Sequence, residues 1–286
     1  MKYKYLVTAI IATIVIISFL NYFIFYRDVP IDDKKMYKLN SDGFCKFKNV
    51  LNDNDIDLLK QKCGDSDYKF IKNYMMNNDR IKSLIYSVTS EDYKLQDYIL
   101  IIKKSAVHTC HRDYNSELFN KNQKHPSYTL IVYLEDMEKC LGVIPESHKD
   151  INSYSYDFNN NFKNILCNKG DVILFNAGLI HAGTINSRDD NIRIQMKVTH
   201  KDDIEALSFY ENYNKLLNQD NNLPTFIRRI HQRLSCTFSG ISNLTQNGYV
   251  KENRKMNHGL DTGLFQQFYS YFFYGNKNFY NLPNAF

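Results

Sequence analysis

The sequence predicts a mainly β protein with flanking helices, preceded by an apolar N-terminal helix and followed by a helical C-terminal extension. Three observations predict it. Short apolar runs of strand character are spaced through residues 98–199, a long apolar run fills residues 6–25, and helical periodicity replaces strand alternation beyond Thr199.

From Leu6 to Phe25 only Thr8, Thr13, Ser18, Asn21 and the hydroxyl of Tyr22 interrupt an apolar stretch. About 20 such residues span a bilayer as a helix, so the run reads as an uncleaved membrane anchor of a single-pass membrane protein. A cleaved signal peptide is the alternative, because Lys2 and Lys4 precede the run. Against it, the run exceeds the usual apolar core of about 7–15 residues, and no small-x-small cleavage site follows Phe25. Arg27, Lys34, Lys35 and Lys38 beyond the run outnumber Lys2 and Lys4 before it, which leans toward a cytosolic main domain and leaves sidedness open. The expected boundaries are an anchor over 1–28, a linker over 29–36, a main domain over 37–201 and a helical, aromatic-rich extension over 202–286.

Within the main domain, Tyr98-Ile99-Leu100-Ile101-Ile102 is the first strongly strand-like run, and Tyr128–Leu134 is a second. A Gly170-Asp171 turn feeds the apolar strand Val172–Phe175. After a polar turn over Asn186–Asn191, residues 192–199 alternate strictly: Ile192, Ile194, Met196 and Val198 face one way, Arg193, Gln195, Lys197 and Thr199 the other. In the extension, Asp202–Leu217 has helical periodicity, and Pro224 opens a second helix. There Ile227, Ile230 and Leu234 recur at helical spacing, with Arg228, Arg229 and Arg233 expected on a solvated face. Phe265–Tyr280 carries enough Phe and Tyr to be expected to pack back on the domain.

Chemistry concentrates in three His-x-Asp triplets, His111-Arg112-Asp113, His148-Lys149-Asp150 and His200-Lys201-Asp202. Alternation on a strand lets such a triplet present both ligands to one ion. Only the first combines a strong preceding strand with a distant histidine, His181, at the end of another strand and a basic residue, Arg193, beyond it. His148 and His200 are expected to be surface or loop histidines. Two imidazoles and a carboxylate on one face of a metal suit an Fe(II) site open to a co-substrate and O2. Arg193 is placed to hold a distal carboxylate by a bidentate pair, although a solvated strand face also carries arginines. His108 and Cys110 lack the paired Cys-x-x-Cys elements of a zinc site and are expected to be structural. His125-Pro126 is expected to end a loop.

These residues carry a family resemblance. Tyr37-Lys38-Leu39-Asn40-Ser41-Asp42-Gly43-Phe44, Asn49-Val50-Leu51 and Asp55–Leu59, then His111-Arg112-Asp113, the strand Tyr128–Leu134 with Glu135-Asp136, Leu141-Gly142-Val143-Ile144-Pro145-Glu146-Ser147-His148-Lys149, Gly170–Phe175, His181 and Arg193 follow in the order of a known family. The chain over about residues 37–200 resembles the phytanoyl-CoA-dioxygenase-like members of the 2-oxoglutarate and Fe(II)-dependent oxygenases. Glu146 stands where that family has glycine. The resemblance implies a double-stranded β-helix (jelly-roll) core, His111, Asp113 and His181 as iron ligands, and Arg193 as partner of the 2-oxoglutarate C5 carboxylate. It further implies oxidative decarboxylation of 2-oxoglutarate by O2 and hydroxylation of a lipid-like small molecule or a protein side chain. Gln195, Tyr128 and Thr129 are candidates for further hydrogen bonds to the co-substrate. Asp113 disfavours a halogenase-like site, in which that carboxylate is replaced.

A net charge of +5 is too mild for a dedicated nucleic-acid groove, so the expected partners are a membrane through residues 6–25 and an unidentified substrate. Six dispersed cysteines do not decide the redox compartment. The rival class is a non-catalytic membrane-anchored jelly-roll protein, which would have no physical need for all four of His111, Asp113, His181 and Arg193.

Overall fold

The structure is a computed structural model that describes residues 2–24, 29–105, 107–150, 153, 155–186, 190–244 and 264–279. Phe25, Arg27 and Tyr280, used in the expectations above, lie outside the described residues. The fold is a mixed, sheet-rich one with helices, consistent with a jelly-roll core.

A large sheet runs β1 (Phe44–Phe47), β7 (Val172–Asn176), β4 (Tyr128–Tyr133), β9 (Asp190–His200), β3 (Tyr98–Ser105) and β10 (Tyr213–Gln219), with β2 (Tyr93–Leu95) also paired to β9. A small sheet has the order β6 (Lys163–Cys167), β5 (Met137–Val143), β8 (His181–Ala182). Side-chain parity divides the large sheet into two faces. Leu130, Val132, Val172, Leu174, Ile194, Met196 and Val198 join one buried cluster with Ile56, Leu59, Ile71 and Ile81, so this face lies under α3 (Asp53–Gly64), α4 (Tyr68–Asn77) and α5 (Asp79–Val88). The opposite face contributes Ile131, Tyr133, Ile173 and Phe175 to a cluster with Cys140, Val143 and Ile165 of the small sheet. The site residues of β4 and β9 share that second face. The covering helices start where the chain supplies a cap: Asn52 accepts from the Asp55 amide at 2.9 Å, and Asn78 from the Arg80 and Ile81 amides at 3.0 and 3.2 Å.

Three expectations are corrected. Among the described residues no helix is long and apolar enough to cross a membrane, which overturns the anchor over residues 6–25, the transmembrane part of the fold class and the single-pass location. Residues 2–24 do form a helix, α1 (Lys2–Ile24), whose run is broken by Thr8, Thr13, Ser18 and Asn21. Its end is seated on the protein itself, with the Arg233 guanidinium 4.4 Å from the Tyr22 ring centroid.

The helix expected over 202–217 is instead two 3-10 turns, Lys201–Asp203 and Ser208–Tyr210, and then β10, which pairs in parallel with β3 from Tyr213↔Tyr98 onward. The outer edge of β3 offers backbone donors and acceptors that only another strand can satisfy. That pairing outweighs local periodicity. The third correction concerns α7 (Thr225–Thr237), which buries Arg228 and Arg233 and leaves Phe226 exposed, so that of the three arginines expected on a solvated face only Arg229 is exposed. Arg233 donates to Asn159 and lies over the Phe158 ring at 5.2 Å, so the domain supplies this guanidinium with both an acceptor and an aromatic face.

The aromatic tail packs back as expected. After α8 (Ser239–Leu244), α9 (Leu264–Tyr274) buries Tyr269, Phe273 and Tyr274, together with Phe279, in a cluster that Val107 joins. Tyr274 hydrogen-bonds Thr109, and a Cys110–Cys236 disulfide ties α7 to the same segment.

Candidate active site

Backbone pairing brings the two distant histidines together. His111 and His181 form an isolated antiparallel bridge, each amide donating to the other's carbonyl, at 2.8 and 2.9 Å. The rings stand 4.3 Å apart between centroids, the close approach expected of side chains directly opposite across a pair. In both residues Nδ1 lies 3.0 Å from the carbonyl oxygen two residues earlier, Thr109 for His111 and Leu179 for His181. A carbonyl only accepts, so each Nδ1 carries a proton, and in the neutral ring Nε2 keeps its lone pair. Those Nε2 atoms lie 4.0 and 3.8 Å from Asp113 Oδ1.

Alternation then assigns the three residues of the triplet. Asp113 shares the His111 side, while Arg112 points the other way into the protein and is fully buried. Its Nε donates to the Gly178 carbonyl at 2.9 Å and its Nη2 to the Ser147 carbonyl at 3.3 Å. Arg112 thereby ties the loop before His181 to the Pro145–Lys149 segment. Ser147 Oγ in turn accepts from the Ile180 amide at 2.8 Å. In that segment Glu146 has φ +68°, so it occupies the left-handed conformation that glycine takes most easily.

The carboxylate is polarised from behind. Asp113 Oδ2 accepts from Lys197 Nζ at 2.7 Å and from the Thr129 hydroxyl, while Lys197 also reaches Thr129 Oγ1 at 2.9 Å. Burial would raise the Asp113 pKa, but Lys197, His181 and His111 hold it well below the usual carboxylate range. Burial, reinforced by His111 and opposed by Asp113, pushes His181 down to about 3, so its imidazole is neutral at physiological pH. The ligand atoms of His111, Asp113 and His181 lie within 4.8 Å of one another. Two imidazoles and a carboxylate with one oxygen turned to them fit a divalent first-row ion.

A cavity of about 120 Å³ opens beside these residues. Arg193, Gln195 and Lys197 line it from β9, and Tyr133 from β4. Arg193 is buried and donates from Nη1 to Asn191, to its carbonyl at 3.3 Å and to its side-chain oxygen. Thr129 reaches Asp113, whereas Tyr128 is one residue out of phase. It lies in the helix-side cluster, its ring 5.3 Å from that of Tyr93, and the co-substrate hydrogen bond expected of it is not available there. Sequence reasoning missed Lys197 and Tyr133 as site residues. The strict alternation of β9 held the signal for Lys197, because any face that presents Arg193 and Gln195 to a site must also present residue 197. His148 stands apart from the triad, with Nε2 3.1 Å from the Asn40 carbonyl oxygen.

Residues 76–194 match the family model described as phytanoyl-CoA dioxygenase (PhyH). No curated protein sequence matches the chain. Among solved structures, similarity extends to HygX from Streptomyces hygroscopicus with nickel and 2-oxoglutarate bound, at 14% identity over 59% of this chain and 87% of that one, with a TM-score of 0.46. The non-haem alpha-ketoglutarate-dependent epimerase SnoN from nogalamycin biosynthesis is 14% identical over 57% of this chain and 78% of its own, TM-score 0.47. EvdO2 from Micromonospora carbonacea var. aurantiaca is 12% identical over 62% and 94%, TM-score 0.45. The matched segment 76–194, which is similar to the phytanoyl-CoA dioxygenase family, contains His111, Asp113, His181 and Arg193.

Proposed function

We propose that this protein is a 2-oxoglutarate-dependent hydroxylase in which His111, Asp113 and His181 hold Fe(II) and Arg193 anchors the co-substrate. The observation that carries the reading is the hydrogen-bonded His111–His181 pair, with both Nε2 atoms turned to one oxygen of Asp113. When bound, the iron couples O2 to 2-oxoglutarate, which leaves as succinate and CO2 while a substrate C–H becomes C–OH.

The chain's own residues prepare that step. The Thr109 and Leu179 carbonyls hold both rings through Nδ1 and leave each Nε2 toward the metal position. Lys197 and Thr129 occupy Asp113 Oδ2 and leave Oδ1 toward the histidines. Arg193 lines the same cavity with a guanidinium suited to the distal carboxylate of 2-oxoglutarate, and Gln195 offers a further polar group there, while the Thr129 hydroxyl is taken up by Asp113 and Lys197. Tyr98, Tyr210 and Leu217 give other parts of the wall an aromatic and apolar character. This wall suits a largely apolar target, a lipid-like small molecule or a protein side chain, held with its reacting carbon toward the metal.

Anaerobic titration with Fe(II) and 2-oxoglutarate tests the reading. A metal-to-ligand charge-transfer band, followed by succinate release on exposure to air, is the expected result, and Asp113→Ala should abolish both. Absence of both signals in the wild-type protein would overturn it. Succinate release screened across lipids, small metabolites and peptides would then identify the substrate class.

A further inference from the structure

We propose that His125, His200 and Asp202 form a second metal site, for a divalent ion of the zinc class, at the end of β9 remote from Arg193. The inference stands apart from the hydroxylase reading and uses none of its residues.

Three donors converge from two chain segments. His125 Nε2 lies 3.6 Å and His200 Nδ1 3.7 Å from Asp202 Oδ2, and the ligand atoms of all three residues fall within 4.8 Å of one another. A tetrahedral ion with N and O ligands at about 2.0–2.1 Å needs donors roughly 3.3–3.4 Å apart. The site is therefore within a few tenths of an ångström of that spacing at the carboxylate. The two imidazole rings stand 3.7 Å apart between centroids with planes 30° apart, which keeps their nitrogens close together.

The surroundings hold this arrangement. Buried Asp203 accepts from the Lys124 and His125 amides, both at 2.8 Å, which pins the loop before β4 against the turn that carries Asp202. The Asp202 amide donates to His200 Nδ1 at 3.3 Å, a long hydrogen bond that an ion ligated by this lone pair would displace. His200 Nε2, on the far side of the ring, lies 3.8 Å from Asp92 Oδ2, whose other oxygen is 2.8 Å from Lys201 Nζ. At 3.8 Å this carboxylate is an electrostatic neighbour of the imidazole and not a hydrogen-bond partner. The His125 and Asp202 side chains are 39% and 47% exposed, so an ion can enter and water can complete its coordination. An occupied site would clamp the end of β9 to the entry of β4, the two strands that supply Lys197 and Thr129 to Asp113.

The test is Zn(II) and Co(II) binding by the metal-stripped full chain carrying Asp113→Ala, with a chromophoric chelator as competitor. One tight equivalent should remain, with the intense visible Co(II) absorption of a four-coordinate site. His125→Ala or Asp202→Asn in the same background should each weaken it by roughly 100-fold or more, beyond the 10–100-fold typical of losing an outer partner. No tight equivalent, or one that survives both substitutions, would overturn the proposal. The same substitutions in otherwise unaltered protein serve as a second measure, where two equivalents should fall to one. A count unchanged by either would equally refute it.

Discussion

Replacing Lys197 by Met should destabilise the metal-free protein far more than losing an ordinary lysine, because it strands a buried carboxylate. Lys197 is 2% exposed in its side chain and Asp113 9%, with 2.7 Å between Nζ and Oδ2. At an effective dielectric of about 20, opposite charges at that distance attract by about 6 kcal/mol, which desolvation of both groups largely offsets. Removing one partner forfeits the attraction while the other group stays buried, for a net loss of about 3–5 kcal/mol. In a domain of this size that corresponds to a fall in Tm of roughly 6–20 °C. Scanning fluorimetry and urea unfolding of stripped protein would measure it, alongside Asp113→Asn and the double variant. The double variant should recover at least half of the Lys197→Met loss. In protein loaded with a divalent ion the loss should shrink, since the metal supplies the missing positive charge. Strictly additive losses, or a shift under about 2 °C, would refute the claim that Lys197 is the counter-ion of Asp113.

Three further outcomes are expected. Glu146→Gly should raise stability by about 1 kcal/mol in urea unfolding, because it relieves a left-handed backbone and gives up only a solvent-exposed contact to Lys149; no gain would show that the loop carries no strain. Gly183→Ala should cost about 1–3 kcal/mol and weaken Fe(II) binding, since its Cβ would lie 2.0 Å from the Val107 carbonyl oxygen, next to the His111–His181 bridge; unchanged iron affinity would speak against that coupling. Burial pushes His231 down to about 4, against about 6.5 in the unfolded chain, so between those values only the unfolded state takes up the proton. The His231 contribution is therefore complete above pH 6.5 and is lost as pH falls toward 4, by up to about 3 kcal/mol, and His231→Gln should flatten the wild-type slope in that window.

The parts of this molecule most legible in the sequence were those governed by alternation. The strict pattern of residues 192–199 assigned both faces of β9 correctly, with Ile194, Met196 and Val198 under the helices and Arg193, Gln195 and Lys197 on the cavity. The same rule, applied to adjacent Tyr128 and Thr129, excludes one of them from the site, yet both had been expected there. Less legible was anything decided by a distant partner. Residues 213–217 look helical in isolation and become part of a strand because β3 has an open edge. Of the α7 arginines that look like a solvated face, Arg229 is exposed, whereas Arg233 is buried because Asn159 and Phe158 receive it. His125 and His200 sit 75 residues apart, and nothing local to either shows that Asp203 draws them together.

The parallel pairing of β10 with β3 has a consequence for how the chain is made. Tyr98 waits for Tyr213, so during synthesis the outer edge of β3 stays unpaired until well over a hundred further residues have emerged. An unpaired strand edge on a nascent chain is a template for intermolecular association. Lys197 lies just past the family-matched segment, and Cys236, the partner of Cys110, lies further still. A truncated product ending at residue 194 would thus carry all three of His111, Asp113 and His181 while lacking the counter-ion, the closing strand and the covalent tie. It is expected to aggregate when expressed alone, whereas a fragment extended through residue 237 includes all three.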